Sequence, residues 1–406
     1  MDSLITAAAQ ALAAGDTLGA LNRVALRDDP PGLALRGIAM ARMGDLERAR
    51  TLLKRAARAF GSKEPVARAR CIVAEAEIAL VSRELVGSIE TFDKARATLD
   101  RHGDRLNAAH ARYLAARYFL LIGKLDEAGR TLASVEANRY PPAFSVGIEL
   151  VKAGIAMRRI RAREARAALE RAEHAARRAA IPALTTEVED LSSQLNAPAA
   201  RLVANGWVRL LLLDDIEHLL ASENLIIDSC RQVVRRRDQI VSLRSRPVLS
   251  ALVRALAEAW PGDVPRAALL AHAFGARHAD DSHRARLRVE IGRLRDVVRP
   301  LAGVRATAEG FRLEPHDTSD VVVLTPPVEE KHADVLALLA DGETWSSSAL
   351  ALALGTSQRT VQRALEDLAG AQKVQSFGHG RARRWLMPAA PGFPTSLLLP
   401  APLPNG

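Results

Sequence analysis

The segment LERARTLLKRA, starting at Leu46, returns three times in altered form: LVGSIETFDKA from Leu85, LDEAGRTLASV from Leu125 and AREARAALERA from Ala162. The copies align without gaps, at offsets of 39, 40 and 37 residues. A near-constant period of this size means that one supersecondary unit is stacked on copies of itself. The fourth position is always small (Ala49, Ser88, Ala128, Ala165), the eighth is always large and apolar (Leu53, Phe92, Leu132, Leu169), and the eleventh is Ala56, Ala95, Val135 or Ala172. Positions 1, 4, 8 and 11 share one face of a helix, and the small residues there let a neighbouring helix come close. Short breaks such as Met43-Gly44-Asp45 and Ile122-Gly123-Lys124 precede the copies, and before each break lies another apolar helix, for example Arg112–Leu121. The repeating unit is therefore a helix hairpin, and residues 1–198 are expected to form an α-solenoid.

These hairpins resemble tetratricopeptide-type repeats, with a period a few residues longer than that family's usual unit. The resemblance implies a concave surface for a protein or peptide partner; a rigid spacer or a dimerisation platform, and with it a homodimer, is the other reading. The Arg-rich stretch Arg158–Arg178 interleaves Glu164, Glu170 and Glu173, which suits intrahelical pairs on a solvated face better than a nucleic-acid site.

Packing by small side chains agrees with the composition, in which 48% of residues are hydrophobic but only 4% aromatic. The formal charge of +10 suits an anionic partner. That excess is spread along the chain: residues 1–200 carry 31 Lys and Arg against 24 Asp and Glu, and residues 201–406 carry 26 against 23. Local clusters must therefore carry any argument for nucleic acid. Cys71 and Cys230 form no disulfide framework or zinc spacing. The start, MDSLITAAAQALAAGD, lacks the features of a signal peptide, and the apolar run Leu210–Leu213 is too short to span a membrane. A cytoplasmic location, associated with the nucleoid, is the expectation.

The pattern changes over residues 199–316. Trp207–Leu213 and Leu225–Asp228 read as short strands, and Gln232–Leu243 as a hairpin turning at Arg235-Arg236-Arg237-Asp238. A helix follows Arg246-Pro247, with Leu249, Leu252, Val253 and Leu256 on one face; a second is expected to start at Pro265, a favoured first helical position, and to end near Gly275. The third, SHRARLRVEIGRLRDVV, buries Leu287, Ile291, Leu294 and Val298 and can be capped by Asp281 or Ser282. Gly303–Leu313 then reads as two short strands with a turn. The Ile291-Gly292-Arg293-Leu294-Arg295 and Gly310-Phe311-Arg312-Leu313 runs resemble motifs of the effector domain of OmpR-type response regulators. That resemblance implies a winged-helix fold and a third helix that enters the major groove. Ser282, His283, Arg286, Arg288, Arg293, Arg295, Arg299 and Arg305 are the DNA-binding candidates there. The chain has no receiver domain, and helical repeats stand where one would be. His272, His278 and His283, with Asp280 and Asp281, read as loop and cap residues rather than metal ligands.

Residues 317–328, which hold Asp317-Thr318-Ser319-Asp320, a VVVL run and Pro326-Pro327, read as a linker. Residues 329–388 read as a second, different module: a helix with Val335, Leu336, Leu338 and Leu339, a short helix Ser346–Leu354, and a third, SQRTVQRALEDLAG, whose stripe is Val361, Leu365 and Leu368. KVQSFGHGRARRWLMP reads as a hairpin with Gly378 and Gly380 in its turn and Trp385 anchoring it. This order is similar to the winged-helix class of bacterial repressors. Ser357, Gln358, Arg359, Thr360, Gln362 and Arg363 are the candidates on the helix, because Arg and Gln pair bidentately with guanine and adenine edges. His379, Arg381, Arg383 and Arg384 are the candidates on the hairpin, for phosphates. A winged helix used for protein contacts remains the other reading. Residues 389–406 belong to a Pro-rich tail expected to be disordered.

The chain is thus expected to be mainly α: an α-solenoid followed by two winged-helix (α+β) domains. It would bind double-stranded DNA sequence-specifically as a transcription regulator, with a partner on the repeats. The two candidate recognition helices differ, so one chain is expected to cover an asymmetric site. An adaptor or scaffold, or a plasmid or phage replication initiator, are the alternatives. No phosphate loop, nucleophile elbow, metal spacing or paired-carboxylate signature is present, so neither catalysis nor a cofactor is expected.

Overall fold

A computed structural model describes residues 2–82, 89–136, 140–204, 206–243, 246–274, 281–316, 320–327, 332–339, 344–354, 356–371, 373–378, 380 and 383–386. The chain is mainly helical, as the sequence indicates, and divides into two compact units. One comprises residues 1–158, 164–192 and 334–406; the other comprises 159–163 and 193–333. Among the described residues no helix is long and apolar enough to cross a membrane.

The first unit opens with eleven helices: α1 (Ser3–Ala13), α2 (Thr17–Val24), α3 (Pro30–Arg42), α4 (Leu46–Phe60), α5 (Pro65–Val81), α6 (Ile89–Arg101), α7 (Arg105–Leu121), α8 (Leu125–Ala133), α9 (Pro142–Arg158), α10 (Ala162–Ala179) and α11 (Pro182–Leu195). Consecutive helices from α1 to α9 pack on each other, and the odd-numbered ones, α1 to α9, also pack on one another in order. The repeat explains this. Ala49, Leu53 and Ala56, then Phe92 and Ala95, then Ala128, Leu132 and Val135, then Ala165, Leu169 and Ala172, are all buried; Ser88 lies outside the described residues. The breaks turn through left-handed glycines, Gly44 at φ +85° and Gly123 at φ +76°. Each lets the next amide reach back into the preceding helix, Asp45 N–H to the Met40 carbonyl (3.0 Å) and Lys124 N–H to that of Phe119 (2.8 Å). Asp45 then caps α4 by accepting from the Arg48 amide.

The odd-numbered layer also buries polar groups. Glu77 on α5 lies 3.0 Å from His110 Nε2 on α7, both almost fully buried. Next to them the Tyr113 hydroxyl accepts from Arg117 (3.0 Å), and the Tyr113 ring packs edge-on to Phe144. Gly147 on α9 leaves the room for that ring: a Cβ there would stand 2.8 Å from its hydroxyl.

The second unit holds a six-stranded mixed sheet in the order β2-β1-β9-β3-β4-β5. Its strands are β1 (Ala200–Ala204), β2 (Trp207–Leu211), β3 (Leu225–Asp228), β4 (Val233–Arg236), β5 (Gln239–Ser242) and β9 (Val321–Thr325). The hairpin expected around Arg235–Asp238 is β4–β5. Three features depart from the sequence reading. Val321–Thr325 is no linker: all five residues are buried, and the strand lies between β1, antiparallel, and β3, parallel. The run from Trp207 ends as a strand at Leu211, and α12 (Leu213–Leu220) follows, where Asp215 reaches back 3.0 Å to the Leu212 amide. Pro265 belongs to the two-residue strand β6 (Val264–Pro265), and α14 (Arg266–Phe274) begins one residue later.

Against the sheet packs α13 (Pro247–Glu258), joined by α14, α15 (Asp281–Val298) and a second, three-stranded sheet of β6, β7 (Ala302–Ala306) and β8 (Gly310–Pro315), order β6-β8-β7. Gly310 is required where β8 meets β6: a Cβ would stand 1.8 Å from the Val264 carbonyl oxygen, in backbone that cannot rotate away. Gly310→Ala is expected to cost about 1–3 kcal/mol by overpacking, read from the shift in the urea midpoint; an unchanged midpoint would refute the close approach.

The remaining helices, α16 (Ala333–Leu339), α17 (Ser347–Leu354) and α18 (Gln358–Gly370), with the hairpin β10 (Gln375–Phe377) and β11 (Arg384–Leu386), complete the first unit. Their buried side chains belong to the same apolar cluster as those of α5 to α9. Trp385 is buried, as the sequence suggests, and exchanges both backbone hydrogen bonds with Trp345 (2.8 Å each), which is buried beside it.

Candidate nucleic-acid interface

Helix α18 is amphipathic, and both of its faces are defined. Ser357 caps it, accepting from the Thr360 amide at 3.1 Å, with its hydroxyl 2.8 Å from that of Thr360. Val361, Ala364, Leu365 and Leu368 are buried. Arg359, Gln362 and Arg363 are exposed, at a spacing of three and one that places them on one face opposite that stripe. Gln358 is tied back, donating to the Ser347 hydroxyl at 3.0 Å. The cap residues Ser357, Gln358 and Thr360 therefore fix the start of the helix, while Arg359, Gln362 and Arg363 present donors outward.

The β10–β11 hairpin flanks this helix in sequence. Arg383 lies over the Trp385 ring, 4.3 Å from its centroid, and donates to the Ser376 hydroxyl at 3.2 Å. A guanidinium held over an indole is positioned before any ligand arrives. Arg384 is half-buried, and Phe377 is exposed at the hairpin end. His379 and Arg381 lie outside the described residues.

Helix α15 carries the other candidates. Leu287, Ile291, Leu294 and Val298 are its buried stripe, as the spacing implies. Ser282, Arg286 and Arg288 are exposed and His283 is half-buried; His278 and Asp280 lie outside the described residues. The arginines further along are engaged within the unit. Arg293 pairs with Glu290 at 2.8 Å and Arg299 with Asp296 at 3.2 Å. Arg295 donates to the Val304 carbonyl at 2.7 Å and lies over the Phe311 ring, which Arg266 also approaches. Arg305 lies 3.5 Å from Glu314, whose carboxyl is held below the usual range, chiefly by its hydrogen bond from Arg312. The two motif runs of this module thus meet each other: Arg295 from one stacks on Phe311 from the other.

Two concavities accompany these elements. An open cleft of about 510 Å³ separates the start of α13 from α15, lined by Arg246, Pro247, Glu290 and Arg293. A groove of about 380 Å³ lies among α8, α9 and α10, floored by Leu132, Ile155 and Ala168 and rimmed by Lys152 and Arg171. Both cations of that rim converge on the buried Glu149 carboxylate, at 2.7 and 2.8 Å. The sequence reading missed Glu149, Glu77 and His110, because a polar residue inside an apolar helix face carries no local sign of its partner.

Comparison with protein-family models, with curated proteins and with solved structures finds no match for this chain.

Proposed function

We propose that this chain is a sequence-specific DNA-binding transcription regulator, in which the helix pairs of residues 1–198 form a solenoid that receives a partner and both C-terminal modules are winged helices. The observation that carries the reading is the exposed Arg359–Gln362–Arg363 face of α18. Three bidentate-capable side chains stand on one side of a helix anchored by its opposite face, which is what base readout in a major groove requires. The stacked Arg383 supplies a preset cation for a phosphate beside it. Cytoplasmic, nucleoid-associated localisation follows from this reading, as does a protein or peptide partner for the α8–α10 groove.

A second reading has its own support in the first α+β module. Arg293, Arg295, Arg299 and Arg305 each meet a partner in their own unit. Ser282, Arg286 and Arg288 are the other exposed candidates of that module; an adaptor role in protein contact draws on this smaller outward set.

Selection of bound fragments from sheared genomic DNA, followed by footprinting, tests the proposal. One enriched motif is expected, and log affinity should fall linearly with log salt. Gln362→Ala should lose about 1–3 kcal/mol of discrimination at a single base pair. Equal weakening on target and scrambled DNA would remove the base-reading role.

A further inference from the structure

The two edges of the six-stranded sheet differ. At one edge, β5 has a single strongly exposed apolar residue, Ile240, set between polar Gln239 and half-buried Val241, and Arg236 at the end of β4 and Arg237 in the turn are both paired with Glu223. Charged, tied turns of this kind protect an edge from further pairing. The other edge is β2, where Trp207 is 47%, Val208 59% and Leu210 55% exposed, and Leu212 just beyond is 40% exposed. Apart from Arg209, nothing in Trp207–Leu211 is polar. Among the described residues only the β1 side of β2 is paired within the sheet. An apolar edge with unpaired backbone groups is a template for another strand.

We propose that β2 is the surface on which a second copy of this chain docks, by antiparallel β2–β2 pairing about a two-fold axis through opposed Val208 residues. The strand's own chemistry selects the occupant and the register. A perpendicular two-fold axis in an antiparallel pair sets one residue opposite itself. With Val208 at that position, Trp207 faces Arg209 of the other copy on one side of the sheet, and the reverse pair forms symmetrically. Opposed side chains in such a pair have Cβ atoms about 4.5–5.5 Å apart, close enough for the guanidinium to stack on the indole. Leu210 then faces Gly206, which is in the left-handed region at φ +79° with open space around it. Moving the axis to Arg209 would oppose two like charges; moving it to Trp207 would take both arginines off the rings. The strand is therefore self-complementary in one register, with two cation–π pairs and a central apolar contact. The interface is isologous, and it extends the sheet continuously across the two copies.

The pairing does not depend on the DNA reading. If both hold, the two α18 helices of the dimer are related by the two-fold axis, and the bound site is an inverted repeat rather than the asymmetric site expected of a single chain.

The test is sedimentation of the full chain at 1–50 µM, with cross-linking to fix the register. The wild type should run at twice the monomer mass. Val208→Asp, on a residue more than half exposed, should weaken the dimer at least tenfold with an unchanged far-UV spectrum. For the register, Cys230 is changed to Ser, and Cys71 is buried. Val208→Cys in that background should give a disulfide-linked dimer under mild oxidation, because opposed Cα atoms lie about 4.5–5.5 Å apart. Arg209→Cys should not, because its own copy lies on the diagonal at about 7–8 Å. A wild type that stays monomeric at 50 µM, a dimer untouched by Val208→Asp, or cross-linking at 209 in preference to 208 would each overturn the proposal.

Discussion

Changing Arg359 and Arg363 together to glutamate is expected to lower affinity for a cognate DNA fragment at least 100-fold, while the corresponding change of Arg293 and Arg299 should cost far less. Both α18 arginines are exposed beside Gln362. Each good bidentate base contact is worth about 1–3 kcal/mol; two lost at the lower end of that range are about 30-fold, and the repulsion of two reversed charges from the phosphates carries the loss past 100-fold. On α15 the situation is reversed. Arg293 and Arg299 stand six residues apart, on opposite flanks of the α15 stripe, so they do not share one outward face; each also shares its charge with a carboxylate partner, Glu290 or Asp296, a pair worth at most about 1 kcal/mol. Fluorescence anisotropy with a labelled target, at fixed salt because affinity is strongly salt-dependent, separates the two helices. Equal losses for the two double variants would return α15 to the DNA surface. No loss for the α18 pair would remove the regulator reading and leave the adaptor. All four side chains changed are exposed, and an unchanged far-UV spectrum is expected of both variants.

What the sequence made legible, and what it hid, divides along one physical line. Features set by local periodicity are readable. The small-large-small stripe of the repeats, the Leu287–Ile291–Leu294–Val298 stripe, the Val361–Leu365–Leu368 stripe and the β4–β5 hairpin all lie where the spacing puts them, because each is decided by residues within a few positions of one another. Features set by distant partners are not. Val321–Thr325 sits between the polar Asp317–Asp320 segment and Pro326-Pro327, which is the local signature of a linker. Its true partners are β1 and β3, about a hundred residues earlier, and the parallel pairing to β3 requires the intervening helices as a crossover. The short apolar run was the available signal, since a continuous run bounded by turn residues also describes a fully buried strand. α12 was hidden by the strand that runs into it, although Asp214 and Asp215 mark a helix start. The candidate site shows the same split. The outward face of α18 follows from its own stripe. The engagement of Arg295 with Val304 and Phe311, and of Arg383 with Trp385, follows from strands that no helical spacing foretells. An arginine opposite a core stripe is therefore a weaker sign of nucleic acid than its position on the helix suggests, unless the rest of its surroundings is known.

The largest effect expected on stability lies away from α18, at the Glu77–His110 pair. His110→Ala should destabilise the chain by about 3–5 kcal/mol, the usual cost of stranding one half of a buried pair. Glu77 is 1% exposed and its carboxylate meets the imidazole at 3.0 Å. Arg117, on the same helix as His110, donates to the Tyr113 hydroxyl. The pair is not required for folding as such: replacing both residues by leucine should recover most of the loss, because apolar residues of similar volume remove the desolvation cost of both groups. Burial is the largest influence on Glu77 and pushes its pKa above the ordinary carboxylate range, against the opposing pull of His110. A group whose folded pKa is raised favours the fold in its protonated form. Its contribution is fully present below the unfolded value, near 4.3, and is lost as pH rises through the folded value. Glu77→Gln keeps the shape and cannot ionise, so it should lack this slope. Urea midpoints for the wild type and Glu77→Gln from pH 5 to pH 8 provide the check, with the wild type losing ground to the variant as pH rises. A wild type that gains relative to Glu77→Gln over that range would mean the carboxylate is the favoured buried form, held by the cations around it. A His110→Ala loss below about 1 kcal/mol would mean that water reaches the carboxylate and that the layer between α5 and α7 opens more readily than its burial implies.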